Sequence, residues 1–190
     1  MKWTPALLVA LRVLLAPLLL VLVAKSAIGD RGALGLYLLA FATDYADGNI
    51  ARALGVATPR LRAADSAADT VFHLAFFAAT WILHRDELRT PFLLAFLGTA
   101  GAWYGLDAFR WRRVAGFHAR SARAFAAALL AWVVALYGFG VEGSLGAALA
   151  VGTVANVDGL AISLLLDKDQ TDVSSSLWLL GAFARRSGGL

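Results

Sequence analysis

The chain has no cysteine, which excludes a disulfide framework and any thiolate metal site. It is also poor in charge. Asp, Glu, Lys and Arg supply 16% of the 190 residues, where an average soluble domain carries about a quarter, and hydrophobic residues supply 60%. With a mean hydropathy of +0.71, this composition points to a polytopic membrane protein rather than a globular domain with a large core. No internal repeat, low-complexity tract or long linker interrupts it, so residues 1–190 read as a single domain. The net charge of +4 does not argue for nucleic acid, because the arginines lie in short loops between apolar runs, where a basic excess reports membrane orientation.

Apolar segments at 4–24, 32–54, 65–83, 91–109, 121–139 and 143–166 are each close to the ~20 residues that span a bilayer. The expected fold is all-α, an integral membrane bundle of six transmembrane helices. A short amphipathic helix is expected at 173–184, capped by Asp172 or Ser174, with Leu177, Trp178, Leu180 and Phe183 on its apolar side. Gly32, Gly98, Gly101, Gly105, Gly146 and Gly152 suit close helix packing in lipid. The first segment admits a second reading, a signal peptide ending in the small-residue run Ala24-Lys25-Ser26. Its length and the Arg12 in its middle favour a retained helix.

Loop charge sets the orientation. Loop 52–64 carries Arg52, Arg60 and Arg62, loop 110–123 carries Arg110, Arg112, Arg113, Arg120 and Arg123, and neither contains an acid. Segments 25–31, 84–90 and 139–143 are close to neutral. The two basic loops, and with an even number of helices both termini, are expected on the cytoplasmic side of the plasma (inner) membrane.

Four aspartates then stand out in this apolar background: Asp44, Asp47, Asp65 and Asp69. Each pair is three or four residues apart, which places both carboxylates on one helix face. Acids in hydrophobic helices are costly unless something positive neutralises them. Hard oxygen donors in this number suit two Mg²⁺ or Mn²⁺ ions, which can clamp a diphosphate and stabilise attacking and leaving oxygens. Arg52, one turn beyond Asp47, suits a phosphate oxygen, and Gly48 allows close approach of a ligand to the backbone. A metal-free proton or cation pathway is the alternative. A solvated acidic face is disfavoured by the apolar setting.

The remaining intramembrane charges are Arg12, Asp107 and Asp158. Arg12 admits a structural and a functional reading. Asp107 is placed to pair with Arg110 at i+3, and Asp158 to bond across the bundle. His118 has no second histidine nearby and reads as interfacial. Trp103, Tyr104, Trp111, Trp132 and Tyr137 fit interfacial belts or helix packing, and Tyr45 fits either a nucleotide contact or the core.

The pattern Asp44-x2-Asp47-Gly48-x2-Ala51-Arg52, with Asp65-x3-Asp69 at the matching distance, resembles the signature of the CDP-alcohol phosphotransferase family. Arg12 and Pro17 resemble that family's Arg-x4-Pro arrangement in the first helix. The resemblance implies that Asp44, Asp47 and Asp65 ligate metal, that Asp69 joins them or acts as general base, and that Asp44, Asp47, Gly48, Ala51 and Arg52 line the CDP site. It implies transfer of a phosphatidyl group from CDP-diacylglycerol to a small polar alcohol, most simply glycerol 3-phosphate, with release of CMP. Arg110, Arg113, Arg120 and Arg123 are then candidates for the acceptor phosphate as well as for topology. A homodimer is implied too, since similar members pair. Two positions depart from the family pattern. Leu61 stands where the family has glycine, four residues before the third aspartate, and His118-Ala119-Arg120-Ser121-Ala122-Arg123-Ala124 replaces a Gly-Lys-x-Lys-Thr-like run. The other function class consistent with the sequence is a non-catalytic relative or small transporter that kept the acidic metal site.

Overall fold

The computed structural model describes residues 4–56, 58–111, 120–165, 175 and 176. These residues contain helices and no strand: α1 (Thr4–Ala24), α2 (Asp30–Ala53), α3 (Pro59–Leu83), a 3₁₀ turn (Arg85–Leu88), α4 (Pro91–Trp111), α5 (Arg120–Val133) continued by a π turn (Val134–Gly138), and α6 (Leu145–Leu165). They group into two compact units. One runs through residue 88 and includes 136–140; the other holds 89–135 and 141 onward.

In the first unit α1 packs against both α2 and α3. Its buried face holds Leu15 together with the row Pro5, Val9, Arg12, Ala16, Leu19 and Val23. Those positions alternate in steps of four and three, the seam spacing of packed helices. Leu7, Leu14, Leu18 and Val21 are exposed on the other side, as lipid contact requires. The matching seam of α2 is Ala33, Tyr37, Ala40, Asp47 and Ala51, and that of α3 includes Ala68, Phe72, Ala75, Phe76 and Ala79. The alanines let the backbones approach closely. Arg12, Asp47 and the α3 acids therefore occupy seam positions.

The turn between α2 and α3 fixes how those acids meet. Gly55 takes φ +64°, the left-handed conformation that glycine adopts without Cβ strain. Its N–H donates to the Arg52 carbonyl (3.2 Å), and the Val56 N–H donates to the Ala51 carbonyl (3.0 Å). This is a Schellman stop. Thr58 then caps α3, accepting from the Leu61 N–H at 3.2 Å, with Pro59 in the first turn. The expected start at residue 65 was therefore too late. Thr-Pro is a helix-start signal, and the second half of the stretch expected as a basic loop, from Pro59 on, is the first turns of α3.

An aromatic core fills the same unit further along α2 and α3. Tyr37 and Phe76 lie 4.7 Å apart by ring centroid, and Phe76 and Tyr137 5.1 Å. Thr80 Oγ1 donates to the Phe76 carbonyl, so the 2.7 Å bond from Tyr137 has the phenol as donor. Tyr137→Phe should cost about 1 kcal/mol by stranding that hydroxyl's acceptor, read as a lower melting temperature in detergent. Beyond it, His84 Nε2 meets Asp30 Oδ1 at 2.8 Å, at the end of α2 away from Asp44 and Asp47.

In the second unit α6 packs against α4 and α5. Gly152 sits against Phe125 and Phe96, and Gly159 against Trp103. Gly146 faces Thr90 and Phe92, whereas Gly98, Gly101 and Gly105 on α4 face open space. The packing role expected for glycines thus holds within this unit at Gly146 and Gly152, and Gly159 adds a site the sequence reading passed over. Asn156 Nδ2 donates to the Phe96 carbonyl at 3.2 Å. Asp158 bonds across helices as expected, accepting from Ser121 Oγ at 2.7 Å and also from the Ser176 N–H at 2.9 Å. Asp107 accepts from Ser163 Oγ, and Arg110 donates to the Ser163 and Leu164 carbonyls. The helix expected at 173–184 lies outside the described residues except at 175 and 176.

Among the described residues, five helical segments are long and apolar enough to cross a membrane: Thr4–Ala24, Ala64–Leu83, Pro91–Arg110, Arg120–Gly138 and Leu145–Leu165. The chain is a multi-pass membrane protein. α2 has 24 residues, about 36 Å at ~1.5 Å per residue, so length does not set it apart from the five. Its last half carries Thr43, Asp44, Asp47, Asn49 and Arg52, and that polarity does.

Candidate active site

The four aspartates converge within the first unit, two from the C-terminal turns of α2 and two from the N-terminal half of α3. One ligand oxygen each from Asp44, Asp47 and Asp65 lies within 4.8 Å of the other two. Asp69 is one turn along the same α3 face. Carboxylate oxygens within 4.8 Å repel by on the order of 3 kcal/mol per ionised pair at an effective dielectric near 20, before water screens the open ones. A cation is needed among them.

The chain itself supplies one. Arg12 Nη1 lies 2.9 Å from Asp65 Oδ1 and 3.3 Å from Asp44 Oδ1, and also bonds Asp69 Oδ1. Arg12 Nη2 donates to Asp47 Oδ2 at 2.6 Å. The guanidinium touches all four acids from α1, the helix that carries none of them. Side-chain exposure is 1% for Arg12 and 4% for Asp47, against 41% for Asp44, 31% for Asp65 and 35% for Asp69. The site therefore has a closed floor of Arg12 and Asp47 and a rim of three carboxylates that a ligand can reach.

The neighbouring residues are ordered by local bonds. Arg52 is exposed and folds back along the end of α2, donating from Nη2 to Asn49 Oδ1 at 2.8 Å, while Asn49 donates to the Tyr45 carbonyl. A Cβ at Gly48 would meet Arg52 Nη1 at 3.5 Å, ordinary contact, so the glycine leaves the face beside the guanidinium low. Ala51 is buried in the seam. Tyr45 is 72% exposed. That overturns its core reading, because it falls off the α2 seam that carries Asp47.

Two groups near the site were not singled out from the sequence. His73 Nδ1 lies 2.8 Å from the Asp69 carbonyl oxygen; a carbonyl only accepts, so Nδ1 carries the proton. The Tyr37 hydroxyl is 3.5 Å from His73 Nε2, a weak contact. The i, i+4 relation of His73 to Asp69 is the signal that would have found it. The acceptor candidates fall in the other unit. Arg110 binds the α6 carbonyls named above, Arg120 and Arg123 are exposed on the first turn of α5, and Arg113 and His118 lie outside the described residues.

A family model for CDP-alcohol phosphatidyltransferases matches residues 2–163. The chain belongs to that family. No curated protein and no solved structure is a significant match. The family's reaction is transfer of a substituted phosphate from a CDP-alcohol to an alcohol within a membrane, in phospholipid biosynthesis, with a divalent metal. The donor set fits such an ion: three hard carboxylate oxygens from different positions, close enough to share one cation, and partly open to solvent.

Proposed function

We propose that the protein transfers the phosphatidyl group of CDP-diacylglycerol to a small polar alcohol, with glycerol 3-phosphate the leading acceptor, and releases CMP. The observation that carries this is the convergence of Asp44, Asp47 and Asp65 on one cluster, with Asp69 beside them and the rim accessible. Asp44, Asp47 and Asp65 would hold two Mg²⁺ or Mn²⁺ ions, which would supply charge stabilisation for the diphosphate and the departing CMP, with Asp69 beside them. Gly48 provides a low surface for CDP beside Asp44 and Asp47, Ala51 backs it from within the seam, and Arg52 offers a donor for a phosphate oxygen. Asp69 takes the proton of the acceptor hydroxyl. That oxygen bonds to the β-phosphorus as the bond from phosphorus to the bridging oxygen breaks, and CMP carries the bridging oxygen away. Arg120, Arg123, Arg113 and Arg110 are assigned to topology and, in part, to the acceptor's phosphate.

The polarity of α2 belongs to the site, which supports counting it as a sixth span. Six spans with basic stretches at 52–64 and 110–123 would put both termini and the site on the cytoplasmic face of the plasma membrane. The match over residues 2–163 supports one functional domain. The open glycine face of α4, Gly98, Gly101 and Gly105, supports a homodimer in lipid.

Detergent-purified protein with CDP-diacylglycerol and Mg²⁺ or Mn²⁺ should release CMP with one acceptor among glycerol 3-phosphate, serine, inositol phosphate and phosphatidylglycerol. CMP release from none of them would sink the transferase reading. Leu61 favours the second reading, a non-catalytic relative. It occupies the third position of α3, half-buried, with its N–H spent on Thr58. Leu61→Gly separates the two. A gain in CMP release marks an enzyme slowed by the leucine, and silence in both forms marks a binding protein.

A further inference from the structure

Arg12 lies on the buried seam of α1 with its guanidinium among the four acids of the site, three of which the function assigns to metal. We infer that Arg12 is an internal counter-ion that competes with the divalent ions: it holds the four carboxylates together when no ion is bound and must yield oxygens when ions bind. This rests on the metal reading of the site. Overlap is the first ground. The oxygens Arg12 contacts on Asp44, Asp47 and Asp65, at 3.3, 2.6 and 2.9 Å, belong to the same three carboxylates whose ligand atoms cluster within 4.8 Å. A dication sits ~2.1–2.6 Å from its oxygen ligands. With the guanidinium left in place, two positive centres would share those carboxylates at close range, inside a poorly solvated floor where repulsion is weakly screened.

Charge balance is the second ground. One guanidinium against four ionised carboxylates leaves three negative charges, whereas two dications neutralise all four without it. Arg12 is thus too weak a counter-ion to complete the site and a surplus one when ions are present. The third ground is the Arg12 Nε–H, which is buried and makes no hydrogen bond. Both terminal nitrogens are drawn to the acids at the expense of that donor. A fully satisfied structural network would leave no such orphan.

The test is Mn²⁺ binding, by electron paramagnetic resonance of free Mn²⁺, to the detergent-purified full chain as wild type, Arg12→Met and Arg12→Lys. Thermal melts in EDTA and in Mn²⁺ accompany it. Arg12→Met should bind Mn²⁺ about tenfold tighter or more, melt below wild type in EDTA, and gain more from Mn²⁺ than wild type does. Lysine keeps the charge as a single point without the fork, so Arg12→Lys should fall between. If the methionine variant does not fold, the lysine variant decides by the same two shifts. Mn²⁺ affinity unchanged or weaker in a folded variant overturns the inference and leaves the metal site standing. A wild type that binds no Mn²⁺ overturns the metal reading, and the inference with it.

Discussion

Replacing Asp69 with asparagine should lower CMP release by about 10²–10⁴-fold, the range a positioned general base contributes, while Mn²⁺ binding stays near wild type. The geometry separates the two roles. Asp44, Asp47 and Asp65 form the mutual cluster, and Asp69 stands one turn further along α3 with 35% of its side chain exposed. It is placed to meet an incoming hydroxyl at the open rim. Asparagine keeps an oxygen for Arg12, so the floor of the site is preserved and the lost function is proton acceptance. Asp47→Asn is the contrasting control. Asp47 is 4% exposed and bonded to Arg12 at 2.6 Å, so its loss should weaken Mn²⁺ binding and CMP release together. Equal loss of metal from Asp69→Asn would make Asp69 a ligand rather than a base.

Gly152→Leu should destabilise the second unit by about 3 kcal/mol, the upper end of ordinary overpacking costs, visible as a lower melting temperature in detergent. Even a Cβ there would stand 2.5 Å from Phe125 Cε2 and 2.8 Å from Phe96 Cε2. The two rings come from different helices, α5 and α4, and already touch each other with centroids 5.2 Å apart. Neither ring can retreat without disturbing the other. Leucine at Gly98, which faces open space, is the control and should leave the monomer's melting temperature close to wild type. A Gly152→Leu protein as stable as wild type would show that α4, α5 and α6 pack more loosely than the structure has them.

The elements most legible in the sequence were those with one dominant signal. Long apolar runs with polar breaks located α1 almost to the residue, and α4 and α6 nearly so, because burying or lipidating about 20 residues leaves little choice of boundary. The start of α3 was misjudged because arginines in a short stretch were weighed as loop charge, while Thr58 and Pro59 signalled a cap. The pairing of the aspartates was equally plain, since three- and four-residue spacing puts side chains on one face whatever the helix packs against. Tyr45 was ambiguous for the opposite reason: which neighbours of a seam residue point outward depends on a partner helix that the sequence does not display.

By itself, then, the sequence determined the class of molecule, the positions of most helices and the identity of the four acids, since each follows from local composition and helical periodicity. Only the tertiary structure decided that the two acid pairs face each other, that Asp47 lies on the floor and the others on the rim, and that Arg12, 32 residues before the first of those four aspartates, reaches all four. Those relations depend on the turn at Gly55 and on the rotational setting of α1 against α2 and α3. That setting comes from packing of small and large side chains along three seams at once, a many-body fit that no single segment encodes.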